Sequence, residues 1–392
     1  MHPLLEEVLR TSQSGRRETP SSRASRKSAM SATTDDELAN LLESVSARIL
    51  VVGVGGAGNN AVTRLMEVGV EGAETLAANT DAQDLYFCNS NHKLLLGRET
   101  CGGLGAGNDP DVGEAAALET YEVIKDVVRG DLVFVTAGMG GGTGTGAAPL
   151  IAKAAKENGA LTVAIVCLPF EVEGDTRRRN AQRGLNAIME HVDTLIAIPN
   201  EKLLDIAPDL SMPEAFMVAD EVLVRAVKGI AELISKPGLV NLDFADVRTT
   251  MKNGGVSIIA LGEGQGENRA EEAVINALRN PLIEVSIENA RNILINVSGS
   301  TDLQLAEAKH VVQLVTDQIN PGVEIIYGAL ISPELEDRIR VTIIASGVSS
   351  PYVFDKTERV TPLAEDLKTD LGLQRLDSAS VDNQEVLKEN PA

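Results

Sequence analysis

The stretch GMGGGTGTG (residues 138–146) lies between the apolar run DLVFVTA (131–137) and the alanine-rich AAPLIAKAAKENG (147–159), and its reading decides the fold. Six glycines in nine positions between a strand-like and a helix-like run mark a place where something approaches the backbone closely, since glycine has no Cβ to hold it away. A helix opening near Thr145 adds roughly half a positive charge at its N-terminus, where free N–H groups converge on an anion. The stretch therefore reads as a phosphate-holding turn. It lacks the order G-x-x-x-x-G-K-S/T and contains no Lys or Arg, which excludes the P-loop class. The charge of a triphosphate is left to backbone dipoles, the hydroxyls of Thr143 and Thr145, and Mg²⁺.

Two further glycine clusters sharpen this reading. GVGGAGNNA (53–61) directly follows the run RILVVG (48–53), and Gly53, Gly55 and Gly58 satisfy G-x-G-x-x-G. Asp81 follows about twenty residues later, where a dinucleotide site keeps its ribose-binding acid. An NAD(P)-dependent oxidoreductase is the rival reading that this first unit supports alone. A dinucleotide fold needs one glycine-rich phosphate loop, however, and this chain has two at strand ends, with a third, GGLGAG (102–107), nearby. Several phosphates are the natural cargo.

Around these loops, strand-like runs (48–53, 75–80, 93–97, 131–137, 161–170, 193–200) alternate with helical segments, the pattern of a parallel sheet wrapped by helices. Such sheets bind ligands at the carboxyl ends of their strands. After a long helical segment the pattern changes to strands near 255–262, 292–298, 322–328 and 338–346, with helices near 268–279 and 302–319. The expected organisation is an α/β protein. It has a disordered, basic extension over 1–46, a Rossmann-like parallel-sheet nucleotide-binding domain over 47–212 and a central helix over 213–235. A smaller α+β C-terminal domain over 236–349 and a flexible tail over 350–392 complete it.

Bulk properties exclude several classes. A net charge of −22 argues against nucleic acid or an anionic membrane as partner of the whole surface. No apolar stretch approaches about 20 residues, so no membrane-spanning helix and no direct membrane insertion is expected. Cys88, Cys101 and Cys167 are odd in number and widely spaced, which suits a reducing compartment and buried thiols. Glu6 and Glu7 within MHPLLEEVLR fit badly with an acid-poor transit presequence. Leu4, Leu5, Val8 and Leu9 have the spacing of a short amphipathic helix.

At this point the residues resemble a family. GGGTGTGAAP (140–149) is the signature of the tubulin and FtsZ superfamily. With GVGGAGNNA before it, NTDAQ (79–83), GLGAG (103–107), and then IPNEKLL (198–204) and NLDFADV (241–247), the order over residues 47–349 resembles the FtsZ family, and the long basic N-terminal extension and short C-terminal tail look more like its archaeal than its bacterial members. The resemblance implies a polymerising GTPase of cell division, cytoplasmic and acting at the mid-cell division site. GTP is its substrate and GDP its product, with Mg²⁺ carried by the nucleotide rather than by a protein metal site.

The resemblance also implies roles for particular residues. Gly56, Ala57, Gly58, Asn59 and Asn60 wrap the phosphates, joined by Gly144, Thr145 and Gly146 of the signature. Glu173 and Arg177 in PFEVEGDTRRR contact the ribose, and Asn200, Phe216 and Asp220 select the base. Phe216 and Asp220 are four apart on one helix and so share a face. A ring can stack on the base while the carboxylate accepts from guanine N1–H and N2–H₂, donors that adenine lacks in that pairing. Asp243 and Asp246 read blandly as a helix N-cap and a first-turn acid. In the family they reach the nucleotide of the neighbouring subunit, so hydrolysis needs a head-to-tail protofilament. A nucleotide-binding scaffold that assembles without hydrolysis is the second rival, and the presence of both acids speaks against it. In the tail, Leu363, Leu367 and Leu371 form one helical stripe suited to a partner's groove or to packing back on the second domain, and the resemblance implies that the partner is a membrane-tethering adaptor.

Overall fold

Runs rich in Val, Ile and Leu become strands, those at the centre of the sheet buried on both faces, and the alanine- and glycine-rich segments between them become the covering helices. The computed structural model describes residues 47–202, 211–236, 238–240, 242–279 and 287–348. Its first half contains β1 (Ile49–Val54), α1 (Gly55–Val68), β2 (Ala73–Asn79), α2 (Ala82–Phe87), β3 (His92–Leu95), α3 (Arg98–Cys101), α4 (Pro110–Glu119), α5 (Tyr121–Val127) and β4 (Leu132–Gly138). Next come α6 (Thr143–Glu157), β5 (Leu161–Leu168), α7 (Asp175–Met189) and β6 (Thr194–Pro199). The long helix α8 (Met212–Ser235) leads to α9 (Phe244–Met251), β7 (Gly255–Gln265), α10 (Arg269–Leu278), β8 (Asn292–Gly299), α11 (Leu305–Thr316), β9 (Glu324–Ile331) and β10 (Arg338–Ser346). Each strand-like run of the sequence is a strand here, with ends displaced by a few residues.

The strands form one sheet in the order β3-β2-β1-β4-β5-β6-β7-β10-β8-β9. From β3 to β7 every pairing is parallel, whereas β10 runs antiparallel to both β7 and β8. The seam between the halves is short, made of Thr194–Gly255, Leu195–Val256 and Ile196–Ser257.

One face of the first half packs Val52, Val54, Val133 and Val135 against Ala116 of α4, Ile151 of α6 and Leu185 of α7. The other face packs Val51, Phe134 and Ile165 against α1 and α8. Leu223, Val227 and Ile230 of α8 share that core with Leu294, Leu330 and Ile344 of the second half, so one helix welds the two. Burying a side chain of this size stabilises by roughly 1.5–3 kcal/mol. Beyond it, Val297, Ile339 and Val341 meet Ala273 of α10 and Val311 of α11.

Cys88 and Cys167 are buried, whereas Cys101, the last residue of the short α3, is half-buried against the first core, less than the sequence suggested. No described helix is long and apolar enough to cross a membrane. The extension 1–46 and the tail 350–392, with Leu363, Leu367 and Leu371, lie outside the described residues.

Candidate nucleotide cleft

A cleft of about 280 Å³ opens at the carboxyl ends of β1, β4, β5 and β6. Gly55, Gly56 and Ala57 enter it from the turn after β1, Gly141 to Gly144 from the turn after β4, and Asn200 from the end of β6. Phe216 and Asp220 close one end from α8, and Glu173 and Arg177 stand at the rim.

The glycine end is built by backbone interlock. A Cβ on Gly144 would lie 2.5 Å from the Gly138 carbonyl oxygen, and Gly55, at φ 71°, would place one 3.0 Å from the Gly144 nitrogen. Glycine at 55 lets the two loops touch, and glycine at 144 lets the second loop close on its own strand end. The Thr145 hydroxyl accepts from Gly140 N–H at 2.9 Å, which folds the turn back on its own helix, and the Thr143 hydroxyl meets that of Thr80 at 2.6 Å. α6 begins at Thr143, so its free N–H groups face the cleft as a helix start should.

Of the phosphate-loop residues expected from the sequence, Gly56, Ala57 and Gly144 line the cleft, whereas Gly58, Asn59, Asn60, Thr145 and Gly146 are not among its lining residues. Gly58 packs under the sheet end, where a Cβ would meet the Thr136 carbonyl oxygen at 2.6 Å, and Gly146 packs on Pro110 of α4. Asn59 is buried and donates to Asp84 at 3.0 Å, and its Oδ1 finds no partner among the described residues. Asn60 is exposed beside a groove between α1 and α8. Asp81, just after β2, is not among the lining residues of the cleft: its Oδ1 caps α2, accepting from Gln83 N–H at 2.9 Å and Asp84 N–H at 3.1 Å.

At the other end, Phe216 is half-exposed and stands edge-on to buried Phe170, with centroids 5.4 Å apart. Its open face can receive a planar base. Asp220 lies one turn below, and burial pushes its carboxyl up to about 6. Asn200 is 5% exposed and its Oδ1 has no partner among the described residues. A buried acceptor left unmade costs free energy, so the site expects a donor from a ligand. Glu173 accepts from Phe170 N–H at 2.9 Å and pairs with Arg177, which holds the guanidinium at the rim.

Asp243 and Asp246 are not in the cleft. Asp243 caps α9 by accepting from Asp246 N–H at 2.8 Å, and Asp246 reaches back to Asp243 N–H at 3.4 Å. The far turns of the same helix meet the amino ends of the strands: Arg248 donates to the carbonyl of Gly159, just before β5, and Met251 accepts from Thr194 at the start of β6. The acid turn thus belongs to a helix docked at the sheet edge away from the glycine loops.

Comparison with known proteins agrees with this geometry. Residues 48–208 match the model of the Tubulin/FtsZ family GTPase domain, and residues 255–349 match that of the FtsZ family C-terminal domain. The chain is 54% identical over 343 residues to the cell division protein FtsZ of Methanothermobacter thermautotrophicus, covering 87% of this chain and 89% of that protein. The chain belongs to the FtsZ family. FtsZ 1 of Pyrococcus abyssi is 52% identical over 334 residues, covering 85% of this chain and 90% of its own. The solved empty FtsZ dimer of M. jannaschii superposes with a TM-score of 0.77 at 51% identity, covering 80% of this chain and 92% of that one. The domain carrying the cleft is accordingly a GTPase domain of the FtsZ type.

Sequence reasoning missed the apolar walls of this FtsZ cleft: Met139, Cys167, Leu168, Pro169, Ala219 and Leu223. The Cys167 thiol, pushed up to about 12 by burial and then by Asp220, acts as a small apolar wall. Its position at the carboxyl end of β5 was the available signal, since strand ends of that edge line the ligand site.

Proposed function

We propose that this chain is a GTP-dependent polymerising GTPase of cell division. The triphosphate lies on Gly56, Ala57 and Gly144, while Gly58, Asn59, Thr145 and Gly146 hold the two turns in shape behind them and Asn60 follows on α1. The ribose meets Glu173 and Arg177, and guanine meets Phe216, Asp220 and Asn200. The observation that carries the reading is the distribution of carboxylates. Among the described residues lining the cleft the only acids are Glu173, committed to Arg177, and Asp220, at the base end. The described glycine end has dipoles and hydroxyls to bind a phosphate, and no acid to orient a water.

Asp243 and Asp246 supply that acid from the next subunit of a head-to-tail protofilament. There they orient the attacking water as its oxygen forms a bond to the terminal phosphorus and the bond to the β-phosphate oxygen breaks. The glycine-loop N–H groups stabilise the charge that gathers on the leaving phosphate. Thr143 and the phosphate oxygens suit a Mg²⁺ carried in by GTP, which would neutralise charge; no described cluster of three or more His, Cys, Asp or Glu offers a metal site of its own. Self-association is in keeping with the dimer found for M. jannaschii FtsZ. The cell-division role is in keeping with the name of the relatives, and with it a cytoplasmic site at mid-cell. The stripe of Leu363, Leu367 and Leu371 in the tail is offered, on sequence alone, to a membrane-tethering adaptor.

GTP turnover measured against protein concentration tests the composite site. Turnover per subunit should rise from near zero as filaments form; a value that stays constant into the monomer range overturns it.

A further inference from the structure

The third glycine cluster packs on the phosphate end of the cleft without lining it. Ala106 and Asp109 press on Gly142, where a Cβ would meet the Ala106 Cβ at 2.8 Å and the Asp109 nitrogen at 2.9 Å. Gly105 N–H donates to the Thr80 carbonyl at 3.2 Å, and Thr80 in turn touches Thr143. Gly103, Gly105, Gly107 and Asn108 all have positive φ, so the segment is a wound loop whose shape needs external support.

That support comes from α7. The Asn180 amide nitrogen donates to the Gly140 carbonyl at 3.3 Å and to the Asn108 carbonyl at 3.4 Å. Both partners are acceptors, so the orientation of the amide is dictated by its surroundings. One turn on, Arg183 pairs with Asp111 and, at 3.5 Å, with Glu114 of α4. One NH₂ group therefore spans the two loops, and it can do so only while they keep one separation.

We propose that Asn180 is a positioning residue that clamps the loop 102–109 to the signature turn and thereby sets the preference for a nucleoside triphosphate over a diphosphate. The inference rests on the GTP reading above. With the base at Phe216 and Asp220, the phosphate chain runs toward Gly141–Thr143, and its last phosphate is the one that lies nearest the clamped loop. A diphosphate ends one phosphate short of it.

The test is equilibrium binding of GTP and GDP to the full chain below its assembly concentration, for wild type, Asn180→Ala, Asn180→Asp and Asn180→Gln, with thermal melts alongside. Loss of two hydrogen bonds that each contribute on the order of 1 kcal/mol should weaken GTP binding by Asn180→Ala about tenfold and GDP binding less than about threefold. Asn180→Asp, equal in size, turns lone pairs toward two carbonyls and should lose at least as much, while Asn180→Gln keeps the NH₂ and should return GTP affinity to within about threefold of wild type. The isosteric pair separates positioning from folding if Asn180→Ala melts early. Equal losses for GTP and GDP, or none, would overturn the clamp and leave the GTP reading standing. A wild-type chain that binds neither nucleotide would overturn the reading itself.

Discussion

The glycine cradle after β1 and β4 and the acid turn that opens α9 are built in opposite ways. In the cradle the side chains have been removed, and backbone meets backbone at distances where a Cβ does not fit, as at Gly144 against Gly138. In the acid turn the side chains carry everything, and they are occupied with each other's N–H groups. Sterics dictate the residue types of the cradle. At the acid turn, Ser, Thr or Asn would cap the helix about as well, so nothing in the isolated subunit requires two carboxylates. The trans role proposed above is what calls for both.

The largest expected effect tests that difference directly. Asp246→Ala should lower GTP turnover in filaments by about 10²–10⁴-fold, the range for losing a positioned acid or base, with GTP affinity of the monomer within about twofold of wild type. The fold should notice little, because the bond lost is the long one at 3.4 Å. Asp243→Ala should lose turnover in the same way, and also about 0.5–2 kcal/mol of stability with its cap. A parallel loss of monomer GTP affinity at unchanged stability would place the acids in their own chain's cleft and erase the contrast.

Next in size, the cradle should respond by position. A Cβ on Gly146 would sit 2.2 Å from the Pro110 carbonyl oxygen, backbone that cannot swing away. Gly146→Ala should destabilise by about 1–3 kcal/mol or more, visible as a lower melting temperature or insoluble protein. Gly56 has nothing within 4 Å of its added Cβ and lies in the first turn of α1. Gly56→Ala should melt no lower than wild type, any loss appearing in GTP affinity alone. Equal melting losses would mean that the glycines serve only the fold.

At the base end, Asp220→Ala should weaken GTP by about ten- to a hundredfold, from the roughly 1.5–3 kcal/mol of a charged hydrogen-bond partner. Discrimination against ATP should erode with it while stacking on Phe216 persists. Unchanged GTP/ATP selectivity in competition binding would remove Asp220 from base recognition.

The same contrast explains what the sequence made legible. Strands and glycine turns are local: buried parallel strands must be almost wholly apolar, as LTVAIVCL of β5 is but for Thr162, and interlocked loops must be glycine. The capping role of Asp243 was legible for the same reason, since an N-cap concerns only the next three residues. Asp81 misled because a helix cap and a ribose acid require the same residue at the same strand end. The apolar cleft wall was legible by place alone: Cys167 and Leu168 look like any other core residues, and only their position at the carboxyl end of a strand marks them. The single continuous sheet was not legible, since the seam of β6 on β7 is a three-residue pairing between segments far apart in the chain, with no local signature.

The smallest effect concerns protons. In the unliganded protein the Asp220 carboxyl is raised to about 6 because burial disfavours its charge. The folded chain therefore holds more protons at this group than the unfolded chain, whose Asp titrates near 3.9, so the group's stabilising contribution is present at low pH and is lost as pH rises from about 4 through 6. The guanine contact proposed above has the opposite preference, because two N–H donors need the carboxylate. Below pH 6 a proton must leave before the base is accepted, and GTP affinity should fall about tenfold between pH 7 and pH 5, while above pH 7 this group imposes no further change. Asp220→Asn cannot titrate there: its GTP affinity should be low and flat over that range, and its unliganded form should melt above wild type at pH 7, by no more than about 1–2 kcal/mol given that the group is partly open to water. Binding curves for both proteins at pH 5, 6 and 7 check this. A wild-type slope shared by the Asn variant would assign the proton to another group and leave Asp220 a passive acceptor.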